Sequence, residues 1–177
     1  MTGTPRDNAV HAVDTLNDFV GDFVGGVMLF REWESQFNAG RVPEILMVNV
    51  QKICLSHLVL GLCKFVEFYE RFHKVIPSEH RDVCKGLVRE IKQKGVVEFR
   101  NKCVGHIWDK HLHRPLIHSE IMTRLARLTG SNLSEFLNWI NNPKANTFPS
   151  TVVSIVETVR DAMMSQHSIT QDEIINR

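Results

Sequence analysis

An all-α fold is predicted by three observations. Apolar residues recur at three- and four-residue steps through most of the 177-residue chain, the spacing that lines one face of a helix. Pro43, Pro77, Pro115 and Pro149 fall at the ends of these periodic runs rather than inside them. No run alternates apolar and polar residues as a strand would, and no internal repeat or low-complexity tract interrupts the pattern. An up-and-down helical bundle with additional short C-terminal helices follows.

The first helix is expected over residues 7–39, with Val10, Val13, Leu16, Val20, Phe23, Val27, Phe30 and Phe37 as its apolar stripe. Asp7 is its candidate N-cap and Gly40 its stop. Gly21, Gly25 and Gly26 weaken the middle of this helix but permit close approach of a neighbour. Pro43 suits the first turn of a second helix that reaches about residue 74. Leu46, Val50, Ile53, Leu58, Leu62, Phe65 and Phe72 are expected to face inward from it. Its richest apolar run, residues 53–66, contains His57 and Lys64 and reads as a buried helix rather than a membrane span.

A third element over residues 79–94 turns Val83, Leu87 and Ile91 inward, and Gly95 kinks the chain before a helical segment over residues 96–110. Arg114-Pro115 breaks the chain. Helices follow over residues 118–128, stopped by Gly130, and from Ser131 or Asn132 to residue 139. After the loop around Asn141-Asn142-Pro143, Ser150 caps a helix over residues 150–166 that aligns Val153, Val156, Val159 and Met163. The tail beyond Ser168 is weakly patterned. Residues 1–177 are read as one domain, its core over about residues 7–128 and its C-terminal helices over about residues 131–167.

Hydrophobic content is 43% and charged content 23%, an ordinary globular balance. Net charge is only +1, so contact with nucleic acid requires a local patch, not a basic surface. Cys54, Cys63, Cys84 and Cys103 form no CxxC pair and read as buried thiols in a reducing cytoplasm. The first residues lack the charged-then-apolar pattern of a secretory leader.

The chemistry is concentrated in Phe99-Arg100-Asn101-Lys102-Cys103-Val104-Gly105-His106-Ile107. Arginine offers a planar fork of donors that matches a phosphate. Histidine moves protons near neutral pH. On a regular helix Arg100 and His106 are separated by a rise of roughly 9 Å and about 120° of rotation, so one helix does not aim both at one atom. Gly105 distorts the turn in one solution. In another, two copies of the chain face each other and pool their motifs in one cleft.

Lys102, Trp108 and Lys110 flank the motif as candidate substrate contacts. Structural alternatives stand beside these roles: Arg100 paired with Glu67, Glu70 or Glu98, His106 satisfying a backbone carbonyl, Lys102 merely solvated, Cys103 in the core, and Trp33, Trp108 and Trp139 as packing anchors. His106, Asp109 and His113 share one helical face, but zinc sites use tighter pairings and Arg114-Pro115 ends the helix. No metal and no cofactor are assigned.

Arg100-Asn101, four residues and then His106, on a helix that follows an apolar helix ending in Phe65-Val66-Glu67-Phe68-Tyr69, resembles the motif of the HEPN superfamily. The string around it is similar to the abortive-infection-related branch. The resemblance covers about residues 7–128. It implies a metal-independent endoribonuclease, of the kind that serves as toxin or phage-defence effector, acting as a homodimer on RNA; an antitoxin or regulatory protein is a candidate partner, its identity left open. His106 would be the general base or acid, Arg100 would stabilise the phosphate charge, and Asn101 would orient histidine or ribose. The chain departs from the branch paired with nucleotidyltransferase antitoxins, where a modifiable tyrosine follows two residues after the histidine. Trp108 stands there, and the only tyrosine is Tyr69. Two other classes remain in view: a non-catalytic module binding nucleotide, RNA or a protein partner, and a structural homodimer pinned by the motif.

Overall fold

A computed structural model describes residues 4–104, 108–109, 113–130 and 132–175. The chain opens with α1 (Pro5–Asn38), whose first turn is closed by a reciprocal capping box. Thr4 Oγ1 accepts from the Asp7 amide at 3.1 Å, and Asp7 Oδ2 accepts from the Thr4 amide at 2.9 Å. Asp7 is therefore the third helical residue, and Thr4, one turn earlier, is the cap. Gly40, at φ +70°, takes the left-handed conformation that stops the helix.

The second helix, α2 (Glu44–Phe72), returns antiparallel to α1. The two approach closely at glycines. A Cβ built on Gly26 would fall 2.8 Å from Leu58 Cδ2, and one on Gly61 would fall 2.8 Å from Phe23 Cε1. Of the three α1 glycines expected to permit close approach, only Gly26 does so; Gly21 and Gly25 face open space. Between the helices Phe19, Phe23, Phe65, Phe68 and Phe72 form a chain of rings with centroids 5.2–6.1 Å apart, spacings at which aromatic pairs attract.

By length and composition α2 could cross a membrane. Its Leu55, Leu58, Leu62 and Phe65 are nevertheless buried in the core, while Lys52, His57, Lys64 and Glu67 line its exposed side. That is the pattern of a core helix in a bundle. Two side chains expected inside, Leu46 and Ile53, are exposed, as is Phe37 on α1. The apolar residues of α2 cover more than one face, so α1 takes one face and leaves the other outward.

Next come α3 (Ser78–Gln93) and the short α4 (Val96–Phe99), separated by Gly95 at φ +74°. The expected helix over residues 96–110 does not persist. It widens into a π-helical turn, Arg100–Val104, and further on β1 (Trp108–Asp109) pairs antiparallel with β2 (Arg114–Pro115). Then α5 (His118–Thr129), α6 (Leu133–Ile140), α7 (Val152–His167) and α8 (Gln171–Ile175) complete the described elements. The cap of α7 is Thr151, whose hydroxyl accepts from the Ser154 amide at 3.0 Å, and not Ser150.

The C-terminal helices are more than additions. α7 packs on α1 as extensively as most of the bundle's own pairs, and buries Val152, Val153, Val156, Val159 and Met163 in the same core. The tail is fastened as well, with Ile169 buried and Arg6 paired to Glu173 at 2.6 Å. Cys54, Cys63 and Cys84 are buried, and burial pushes the Cys84 thiol up to about 12.

Candidate functional site

The motif is placed by α4. Val96 and Phe99 are buried against α2 and α3, which fixes the rotation of this short helix. The residues around this anchor are thereby sent to opposite sides. Arg100 reaches α2, whereas Glu98 and Lys102 face α5. The backbone then opens into the π turn, a geometry that tends to mark functional segments of helices.

Arg100 Nη2 donates to Glu67 Oε1 at 2.9 Å, with the two side chains 35% and 65% exposed. The structural alternatives for Arg100 are thus narrowed to Glu67. Glu70 instead pairs with Lys92 at 3.0 Å, and Glu98 with Lys102 at 2.8 Å. The Arg100 Nε is buried and makes no hydrogen bond among the described residues. Behind the guanidinium lies the Cys63 thiol, a neighbour that no sequence spacing revealed. Burial pushes that thiol up, while the hydrogen bond and charge of Arg100 pull it down. The arginine is therefore half-buried beside Cys63 and ion-paired to Glu67 at the surface.

Asn101 is exposed beside it. Lys102, expected as a substrate contact, is tied to Glu98 one helical turn back. That pairing holds the Glu98 carboxyl below the usual carboxylate range, with smaller help from Arg124 and Arg127. His106 and Lys110 lie outside the described residues, and Trp108 belongs to β1. The shared helical face of His106, Asp109 and His113 is not formed, because Asp109 is in β1 and His113 is in a turn at φ +51°. Among the described residues no three His, Cys, Asp or Glu side chains converge as metal ligands.

Glu67 is also part of a groove of about 490 Å³ between α1 and α2, lined by Asp18, Asp22, Lys64, Arg71 and the edges of Phe19, Phe68 and Phe72. Within the hairpin, His57 Nε2 sits 3.3 Å from Asp22 Oδ1. Leu46, Ile53 and Leu60 stand seven residues apart on the outer face of α2, Ile53 65% exposed, and Glu67 is the next step of that row. The seven-residue spacing was visible in the sequence; that it faces outward was not.

No family model matches the chain, and no curated protein matches it. A solved structure, the integron cassette protein Vpc_cass2 from the mobile metagenome of V. paracholerae, is similar with a TM-score of 0.76 and 23% sequence identity. The match covers 89% of this chain and 96% of that one. The likeness extends across the bundle and concerns the fold.

Proposed function

We propose that the chain is an endoribonuclease of HEPN type that works as a homodimer, in the manner of toxins and phage-defence effectors. The observation that carries this reading is the surface placement of Arg100 and Asn101 at the start of the π turn, with Glu67 holding one edge of the guanidinium. Arginine has five donors, and Glu67 takes one of the outer ones, which leaves the outer edge of the fork for a phosphate. In the reaction the ribose 2′-hydroxyl gives up its proton and attacks the adjacent phosphorus, and the P–O5′ bond breaks; the departing 5′-oxygen takes up a proton, leaving a 2′,3′-cyclic phosphate and a 5′-hydroxyl. His106 takes or gives the proton, and Arg100 stabilises the charge that develops on the non-bridging oxygens. A second copy supplies a second motif to the cleft.

The row of Leu46, Ile53 and Leu60 supports the dimer, because it is an apolar seam that runs into Glu67. Ile53→Asp is expected to convert the dimer to a monomer in sedimentation analysis, since it puts a charge at the centre of the seam. The variant should stay folded, because Ile53 is outside the core. An unchanged mass for Ile53→Asp would remove the seam from consideration. A cytoplasmic setting, with three thiols buried and reduced, goes with this reading.

The direct test is single-stranded RNA in EDTA. Cleavage should leave 2′,3′-cyclic phosphate ends, and a 2′-deoxy strand of the same sequence should stay intact. A second reading, a module that binds RNA, nucleotide or a protein partner without cutting, is favoured by one feature. Arg100 and Lys102 are each already offset by a carboxylate. Binding of RNA without cleavage would select that reading, and the absence of both would overturn the ribonuclease.

A further inference from the structure

The groove between α1 and α2 has a polarity that the chemistry proposed at Arg100 does not use. Its α1 wall carries Asp18 and Asp22, its α2 wall carries Lys64 and Arg71, and the edges of Phe19, Phe68 and Phe72 lie between them. Opposite charges on neighbouring helices ordinarily close on each other. Here Asp18, Lys64 and Arg71 form no ion pair and no side-chain hydrogen bond among the described residues, and each is exposed.

The rest of the lining is engaged. Asp22 faces His57 at 3.3 Å, Glu67 accepts from Arg100 at 2.9 Å, and the Thr15 hydroxyl donates to the His11 carbonyl at 2.8 Å. The free carboxylate of the α1 wall is therefore Asp18. Arg71 is laid over the Phe72 ring, 5.6 Å from its centre. Lys64 and Arg71, seven residues apart, share one side of α2 with a rise of roughly 10 Å between them.

This arrangement fits a ligand with donors at one end, an anionic group at the other and a flat ring between. The volume of about 490 Å³ falls within the roughly 300–1,000 Å³ of sites that enclose a small molecule. A carboxylate only accepts, through two oxygens, so it selects two adjacent donors. Guanine presents such a pair, N1–H and the N2 amino group, on one edge. Adenine, cytosine and uracil place an acceptor beside each donor, and a carboxylate repels it. The cations of the α2 wall suit a phosphate.

We infer that the groove is a guanosine-nucleotide subsite, in which Asp18 accepts from the base edge and Lys64 and Arg71 hold the phosphate. Nucleotide binding stands on the groove alone; that the nucleotide belongs to an RNA strand rests on the function proposed above. Glu67 lines the groove and bonds Arg100, so the next phosphate of a strand seated here meets the guanidinium, and cleavage falls beside a guanosine.

The test uses the full chain carrying His106→Ala, so that no strand is cut. Calorimetry with guanosine 5′-monophosphate, adenosine 5′-monophosphate and guanosine is expected to show the guanine nucleotide bound about tenfold tighter than the adenine nucleotide. Asp18→Asn is expected to erase that preference, because its amide sets a donor against the donors of guanine. Lys64→Gln with Arg71→Gln is expected to weaken the guanine nucleotide about tenfold and to leave guanosine unchanged. The three positions are exposed, and circular dichroism should show the same helix content in each variant. Short fluorescent oligouridines with one central guanosine or adenosine should repeat the preference and lose it in Asp18→Asn. If the parent binds neither mononucleotide, or both alike, the subsite is overturned. A preference that survives in Asp18→Asn also overturns it, since guanine is then read elsewhere. If the mononucleotides follow the expected order and the two strands bind alike, the strand part of the inference falls and free guanosine nucleotides are the ligands. None of these results depends on cleavage, which the EDTA assay judges separately.

Discussion

Arg100→Ala is expected to slow RNA cleavage by about 10²–10³-fold, with the melting temperature nearly unchanged. The two halves of this expectation have different causes. In the proposed reaction, removing the guanidinium takes away the group that meets charge developing on the phosphate, an interaction realised in the transition state and therefore felt in kcat. The ground-state loss is small. Arg100 and Glu67 form a partly exposed pair at 2.9 Å, and such pairs contribute about 0.2–1 kcal/mol. Arg100→Lys should also fall well short of the parent, because a point charge does not reproduce a planar fork. Steady-state kinetics on a defined RNA, beside a thermal melt of each variant, checks both halves. Parent-like kcat in Arg100→Ala would end the assignment of the motif as a catalytic site.

Phe23→Ala is expected to destabilise the fold by about 3–5 kcal/mol. The ring is fully buried, 6.0 Å from Phe19 between centroids, and its edge fills the gap that Gly61 leaves on α2. Neither neighbour can follow the lost ring, since Gly61 has no side chain and Phe19 is already braced by Phe65 and Phe68. The void therefore persists, and its cost adds to the lost transfer free energy. Urea unfolding should show a lower midpoint at an unchanged slope, the signature of lost stability without a new denatured state. A loss below about 1 kcal/mol would mean that the α1–α2 contact is softer than its geometry indicates.

Helices were readable from the sequence because their three- and four-residue rhythm is a property of neighbours along the chain. Val10, Val13, Leu16 and Phe23 on α1, and Val153, Val156, Val159 and Met163 on α7, are buried as their spacing predicts. Orientation was harder to read where a helix is apolar on more than one side. On α2 the same rhythm serves Leu58 and Leu62, which are buried, and Leu46 and Ile53, which are not. The π turn could not be read either, since it depends on how Val96 and Phe99 are seated by α2 and α3.

The site shows the same division. Arg100 and Asn101 were marked by residue type and spacing, and three glutamates were equal candidates as the arginine's partner until the packing of α4 against α2 selected Glu67. Cys63 and the α5 neighbours of Lys102 were hidden for one reason. Cys63 is brought to Arg100, and Arg124 and Arg127 to Lys102, by folding across long stretches of chain that no local pattern records.

One consequence concerns dissection of the molecule. α7 covers the flank of α1 that α2 leaves bare, and Arg6 and Glu173 latch the two ends of the chain together. A fragment trimmed to the motif-bearing helices would hydrate that flank along most of its length. The minimal autonomous unit therefore extends through α7, and deletion mapping that stops short of it will report misfolding in place of function.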